Sequence, residues 1–381
     1  MKKAALFALT ALSLVSLVSC GGSNPGEEGE TVEDLVGRKV SIRSGSYSKI
    51  VCIGAGALRL YSYIGDVSLL SGVEDIDNES LSNRPKMFDG VARPYVIANG
   101  SAFATLPSCG VGGPNAQSAE AEKILACDPD FVLSEYEDAD KADALQEKLG
   151  VPVLTLGYGT KGVFDAKFQT SLRLMGKVLG KEKRAESLLS FIEKEKEEIS
   201  NRTKDIAEED KPNVYICGLG NWGTTNQFMT AQNYEPFNIA HIKNAVSGLA
   251  NDGIQKIDAE KFASLAGSMD KIIFDSAAIK NIRPSYSENQ ELFESCKAWQ
   301  DGELYLEMAY NAYYTNLEIA LANTWYCAKV VYPNLFEDID IAQKTDEITT
   351  EFLGSPLYGQ IIGYANSFGG YQKINGKEFF S

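Results

Sequence analysis

Residues 182–202 read EKRAESLLSFIEKEKEEISNR, and this stretch decides the fold. Leu188, Leu189, Ile192 and Ile199 recur at helical spacing, while Glu193, Lys194, Glu197 and Glu198 fall on the other face. No Gly or Pro interrupts the run. The pattern predicts an amphipathic helix of roughly 30 Å at about 1.5 Å per residue. Leu172, Met175 and Leu179 show the same period upstream and Gly180 marks a joint, so 165–203 is expected to be helical almost throughout. The charged segment 205–211 and Pro212 end it.

Strands and helices alternate on both sides of this helix. Before it, 49–53 is a short apolar run ended by Gly54-Ala55-Gly56, 57–64 a helix closed by Gly65, and 67–72 a strand. A helix at 120–127 is broken by Asp128-Pro129. A strand at 131–134, a helix at 141–149 and a strand at 151–156 follow. After it come strands at 213–217, 271–274 and 303–306, and helices at 237–249, 259–266 and 316–331, the last stopped by Pro333. Such alternation predicts an α/β fold with parallel sheets covered by helices on both faces.

The first residues carry a different message. Lys2 and Lys3 precede an apolar run at 4–18, and Leu17-Val18-Ser19-Cys20 closes it. A positive end, a hydrophobic stretch and small residues read as an export signal. The ending resembles a bacterial lipobox, in which Cys20 becomes the first mature residue and carries diacylglycerol. The alternative is an ordinary signal peptide that happens to contain Cys20. Gly21, Gly22, Ser23, Asn24 and Pro25 suit a flexible leash. The expected organisation is therefore a signal at 1–19, a lipidated linker at 20–38, an α/β lobe at 39–165, a helical segment at 166–211 and a second α/β lobe at 212–381.

Composition narrows the function. The formal net charge is −16, which repels phosphate backbones and argues against nucleic-acid binding. Besides Cys20, six cysteines are scattered without metal-type spacing: Cys52, Cys109, Cys127, Cys217, Cys296 and Cys327. Most are expected as buried thiols, with one disulfide left open. His241 is the only histidine, a poor endowment for a bare transition metal. No Gly-x-Ser-x-Gly, Walker or HExxH motif is present, and Gly54-Ala-Gly-Ala lacks the third glycine of a dinucleotide site. The expectation is a binding protein without catalytic residues, cofactor or protein-held metal.

Ligands of open α/β sheets sit beyond the carboxyl ends of the strands. That rule selects Gly54 and Ala55 after the first strand, Glu135 and Tyr136 after 131–134, and Tyr158 after 151–156. In the second half it selects Asn221 and Trp222 after 213–217, and Tyr310, Asn311, Tyr313 and Tyr314 after the late strand. Phenol rings can pack on a flat chelate and donate a hydrogen bond, and the helix start near Asn316 offers free N–H groups to an anion. The same residues also read as an N-cap with core tyrosines. Arg93 suits either a carboxylate, catecholate or oxyanion, or an ion pair on the surface. His241 reads as structural.

Five stretches carry a family resemblance: Lys49-Ile-Val-Cys-Ile-Gly-Ala-Gly-Ala-Leu-Arg-Leu, Glu122-Lys-Ile-Leu-Ala-Cys-Asp-Pro-Asp, Leu149-Gly-Val-Pro-Val-Leu, Leu172-Arg-Leu-Met-Gly-Lys-Val-Leu-Gly-Lys, and Tyr313-Tyr-Thr-Asn-Leu-Glu-Ile-Ala-Leu-Ala-Asn. In order and spacing, over roughly residues 38–360, the chain resembles the substrate-binding lipoproteins of ABC importers for iron–siderophore complexes, haem and cobalamin. It looks closest to the iron-complex branch, which also includes molybdate and tungstate binders. The resemblance implies two Rossmann-like lobes joined by one long rigid helix, with the ligand cleft between them. It implies a monomer, anchored outside the cytoplasmic membrane, that captures a metal chelate or an oxyanion and passes it to a permease with its ATPase. It also implies docking on the permease through Glu122 and Glu260, which equally suit the dipoles of their own helix starts. Ala312 departs from the branch, where an aromatic is usual, and leaves the ligand class open. An alternative of another class is a surface sensor or adhesion lipoprotein that feeds no permease.

Overall fold

The computed structural model describes residues 29–381 apart from 115, 117, 137, 221 and 222. The signal, Cys20, Asn221 and Trp222 therefore lie outside the described residues.

The first half is a five-stranded sheet ordered β5-β4-β3-β6-β7, parallel throughout. Its strands are β3 (Ile50–Ile53), β4 (Leu70–Glu74), β5 (Ser108–Gly110), β6 (Phe131–Ser134) and β7 (Val153–Thr155). Strand β3, Ile-Val-Cys-Ile, is buried along its whole length, because a parallel strand with helices on both faces has no solvent side. The helices are α1 (Ala57–Ile64), α2 (Pro94–Phe103), α3 (Ala121–Ala126) and α4 (Ala139–Leu149). The chain adds strands on one side of β3 and then crosses to add β6 and β7 on the other. The reversal falls between β3 and β6.

A hairpin of β1 (Glu30–Glu33) and β2 (Lys39–Ile42) precedes this sheet. The expected linker at 20–38 is corrected here, because its last part is folded. Val32, Val40 and Ile42 are buried in the core. The Asp34 carboxylate accepts from Arg38 N at 2.8 Å, and the Arg38 guanidinium also reaches the Val153 carbonyl at 3.0 Å. Polar composition suggested a linker, but Val32 enters the core and the segment pairs antiparallel with β2.

From β7 the chain runs through α5 (Ala166–Leu179) and α6 (Glu182–Thr203) to the second half. Gly180, at φ 63°, ends α5. Helix α6 is continuous over 22 residues and buries Ala185, Leu188, Leu189, Ile192 and Ile199. Its Glu195 is buried as well, accepting from the Trp325 indole at 2.8 Å and from Lys344 at 3.2 Å.

The second sheet is ordered β10-β8-β12-β13-β14. It comprises β8 (Asn213–Cys217), β10 (Lys243–Asn244), β12 (Lys271–Asp275) and β13 (Leu304–Glu307) in parallel, with β14 (Gln372–Lys373) antiparallel on the edge. A small ladder of β9 (Met229–Thr230) and β11 (Gln255–Lys256) stands beside it. The reversal of strand order falls between β8 and β12. A helix at 237–249 does not form. Only Glu235–Ile239 is helical, His241 takes a left-handed φ of 50°, and the next residues pair with β8 as β10. The apolar residues that suggested a helix face are instead buried from an irregular turn and a strand. The expected strand at 67–72 is a short 3-10 turn, Val67–Leu69, followed by β4. All six cysteines of the described residues are free and buried.

Candidate functional site

The carboxyl ends of both sheets meet around the turn that follows β13. Tyr313 and Tyr314 occupy left-handed backbone, at φ 53° and 70°. Two such residues in succession cost on the order of 1–2 kcal/mol each, and partners from the first half hold them. Arg59, fully buried in α1, donates to the carbonyls of Ala312 at 2.8 Å and Tyr313 at 2.9 Å. The Tyr313 hydroxyl donates to Glu74 at 2.8 Å and accepts from Gly113 N at 3.0 Å. The Tyr314 ring lies 4.5 Å from that of Tyr158, whose hydroxyl donates to the Gly56 carbonyl at 2.8 Å.

Glycine is required at the β3 turn. Gly54 and Gly56 have φ 88° and 96°, and a Cβ on Gly56 would lie 2.5 Å from the Tyr158 hydroxyl oxygen. Gly54 N donates to Glu74 at 3.2 Å, and Glu135 approaches closely enough that a Cβ on Gly54 would lie 3.2 Å from its own. Glu74 is buried with its carboxylate already accepting two hydrogen bonds. Burial first, and then the charge of Asp77, still push its carboxyl up to about 7.

The structure thus brings Gly54, Glu135, Tyr158, Tyr313 and Tyr314 together. Ala55 and Tyr136 sit half-buried at the same strand ends. Tyr313 is 3% exposed and its hydroxyl is occupied, which makes it part of the joint between the halves. Arg93 is neither an open anion receptor nor a surface ion pair. It is 2% exposed, its guanidinium meets Asp77 at 2.5 Å and the Ile76 carbonyl at 3.0 Å, and Tyr95 shares the same carboxylate. Asn311 forms a bridge with Thr315. The helix start beyond it, Leu317–Val331, has no side-chain cap. Buried Glu318 in its first turn, bonded to the Tyr63 hydroxyl, is pushed above the usual carboxylate range by its burial and occupies the position an anion would take.

A cavity of about 420 Å³ opens next to this joint. Lys161, Val163 and Phe164, beyond β7, form one wall. Asn233, Tyr234, Glu235, Asp252 and Ile254 form the other, and Tyr310, Ala320 and Thr324 complete it. Of the residues selected from sequence that are among the described residues, only Tyr310 lines it. The others were missed for two reasons: the strand-end rule stopped at Tyr158, short of Lys161, and the stretch around Tyr234 lies between the expected strand at 213–217 and the helix at 237–249.

Away from the cavity, Glu122 is exposed in the first turn of α3 and meets Lys148 at 2.8 Å. Glu260 is exposed in the first turn of the helix Ala259–Ala266. His241 pairs through Nε2 with the Ser200 hydroxyl at 2.9 Å, beside α6.

The family profile described as periplasmic binding protein matches residues 95–305, more than half of the chain. No curated protein sequence matches. Among solved structures, a periplasmic solute binding protein from Veillonella parvula superposes with a TM-score of 0.66 at 20% identity, covering 92% of this chain and 99% of that one. The molybdate periplasmic binding protein MolA of Haemophilus influenzae, solved with molybdate, gives 0.64 at 15% identity, covering 86% and 98%. Helicobacter pylori CeuE, solved as a Ni–His complex, gives 0.58 at 15% identity, covering 86% and 96%. At these identities the superpositions speak for the fold alone. On the matched profile, the chain belongs to the periplasmic binding protein family, the extracytoplasmic solute-binding components of ABC transporters.

Proposed function

We propose that this protein captures a metal chelate, a ferric siderophore or a related iron complex, and delivers it to an ABC permease. The observation that carries the reading is the cavity of about 420 Å³ walled by segments from both halves. Cavities of roughly 300–1,000 Å³ hold drug-sized ligands, so a chelate fills this space and a lone tetrahedral oxyanion does not. The aromatic rings of Phe164, Tyr234 and Tyr310 suit the flat faces of a chelator. An oxyanion needs cationic or N–H donors, and Arg59 and Arg93 are spent on protein partners. A haem held by an axial imidazole is disfavoured by the placement of His241 against Ser200. Within this reading Cys20 carries the lipid anchor and the monomer stays beside its membrane. Exposed Glu122 and Glu260 meet the permease, and α6 limits the closure of the halves, because a continuous helix is a stiff connection.

Thermal-shift measurements on an unlipidated Cys20→Ser form test the proposal. A ligand that binds only the folded state raises the melting temperature by mass action. A rise with ferric chelates, absent with molybdate, tungstate and haem, is the expected result. A rise with molybdate or tungstate alone moves the protein to the oxyanion binders, and no rise with any compound removes the transport reading.

A further inference from the structure

The loop that gives Asp252, Gly253 and Ile254 to the cavity wall is held by side chains rather than by its backbone. Residues 250–254 are exposed, and among the described residues the stretch 247–254 makes no backbone-to-backbone hydrogen bond. A Cβ on Gly248 or on Gly253 would meet nothing within 4 Å. The half-buried Gln232 amide takes hold of the loop instead. Its Nε2 donates to the carbonyls of Leu249 at 3.3 Å and Asn251 at 3.0 Å and to the Asp252 carboxylate at 3.1 Å. Its Oε1 accepts from Leu249 N at 2.9 Å. Gln255, the first residue of β11, also donates to the Asn251 carbonyl. Gln232 is fixed in turn from the sheet, because the Asn244 amide in β10 donates to the carbonyls of Ala231 at 2.8 Å and Gln232 at 3.2 Å.

What this loop brings to the cavity is an apolar side chain. Ile254 is 41% exposed, and of the exposed large apolar side chains among the described residues it alone lines the cavity. Val163 and Phe164 stand in the opposite wall, and Tyr310 and Ala320 lie between. Apolar surface left in water at a cavity is stabilised when apolar matter covers it. A loop tied by few bonds opens locally at low cost, so the bonds of Gln232 keep Ile254 in place before a solute arrives.

We propose that the solute presents an apolar or aromatic face to Ile254, and that Gln232 is the positioning residue for that contact. A departing solute must displace this loop, so Gln232 also sets the rate of release. The inference deepens the function proposed above and rests on its placement of the solute in this cavity.

The test uses the full Cys20→Ser chain and two ferric trihydroxamates of equal charge, one with an aromatic substituent and one without. Calorimetric titration of the parent is expected to show the substituted chelate bound at least about fivefold more tightly. Ile254→Ser is expected to bring that ratio close to one. Gln232→Ala is expected to speed dissociation of the substituted chelate at least about fivefold in stopped flow. It is also expected to raise amide exchange at 248–255 in the solute-free protein, with the melting temperature close to the parent's. Gln232→Glu keeps the acceptor for Leu249 N but loses the donors, and is expected to behave as Gln232→Ala. Dissociation unchanged in both Gln232 variants, or faster only together with a lowered melting temperature, overturns the positioning role. Equal affinity of the parent for the two chelates, or a ratio that survives Ile254→Ser, overturns the apolar contact and leaves the transport reading intact. Binding of neither chelate overturns both.

Discussion

The Arg59 guanidinium lies 2.9 Å from the backbone carbonyl oxygen of Tyr313, fastening a helix of the first half to a turn of the second. A second N–H of the same group reaches the Ala312 carbonyl at 2.8 Å. The turn they hold is the strained one, and Tyr313 returns the contact by donating to Glu74.

Arg59→Leu removes both donors and leaves two buried carbonyls unpaired. Each such loss costs about 1–3 kcal/mol, so the variant is expected to lose about 3 kcal/mol of stability in urea denaturation. Amide exchange is expected to rise first at 310–316, where the Ala312 and Asn316 amides bond within the turn. Stability unchanged from the parent would mean that the two halves are held elsewhere.

Gly56→Ala tests the β3 turn. The added Cβ enters a left-handed position and meets the Tyr158 ring and hydroxyl within 2.8 Å. The expected loss is about 2 kcal/mol or more, with Tyr158 pushed from its seat against Tyr314. A variant as stable as the parent would show that the turn relaxes freely.

Glu74 gives the protein a pH dependence with a definite sign. Its carboxyl is held at about 7 in the folded state against an ordinary 4.5, so the folded chain binds the proton more tightly than the unfolded one. The contribution of this group is therefore complete below about pH 4.5 and is lost as pH rises through about 7, by up to about 3 kcal/mol. Glu74→Gln mimics the protonated acid and is expected to flatten the decline of melting temperature between those pH values. The same slope in both proteins would assign the dependence to other groups.

Much of this architecture was legible from the chain. Ile50–Ile53, Ala57–Ile64, Phe131–Ser134 and Ala259–Ala266 follow the expected ranges closely, because apolar runs and helix stops such as Gly65 are local signals. The unbroken Glu182–Thr203 was readable for the same reason. The hairpin at Glu30–Glu33 was not, since its core face is a single Val32 among acids. The segment after Pro236 was misread because burial, not period, placed its apolar residues. The strand-end rule selected Gly54 and Tyr158, which lie at the joint, and Tyr310, which lines the cavity, but did not show that Arg93 and Tyr313 would be taken by partners distant in sequence. Nothing near Asp275 signals that β12 and β13 set it beside Glu307.

Exposed carboxylates on opposite halves offer a test of delivery. Glu122→Ala and Glu260→Ala remove surface charges and are expected to change stability by less than about 0.5 kcal/mol and chelate affinity not at all. Uptake in cells, or stimulation of the partner ATPase in proteoliposomes, is expected to fall for each and further for the double variant. Undiminished uptake in the double variant would place the permease contact elsewhere.

The central claim is that a solute sits between the two halves. Amide hydrogen exchange of the Cys20→Ser protein, with and without saturating ferric trihydroxamate, tests it most directly. The account predicts new protection on both walls together, at 160–164 and at 231–238. Protection confined to one wall, or found only at some other surface, would contradict it.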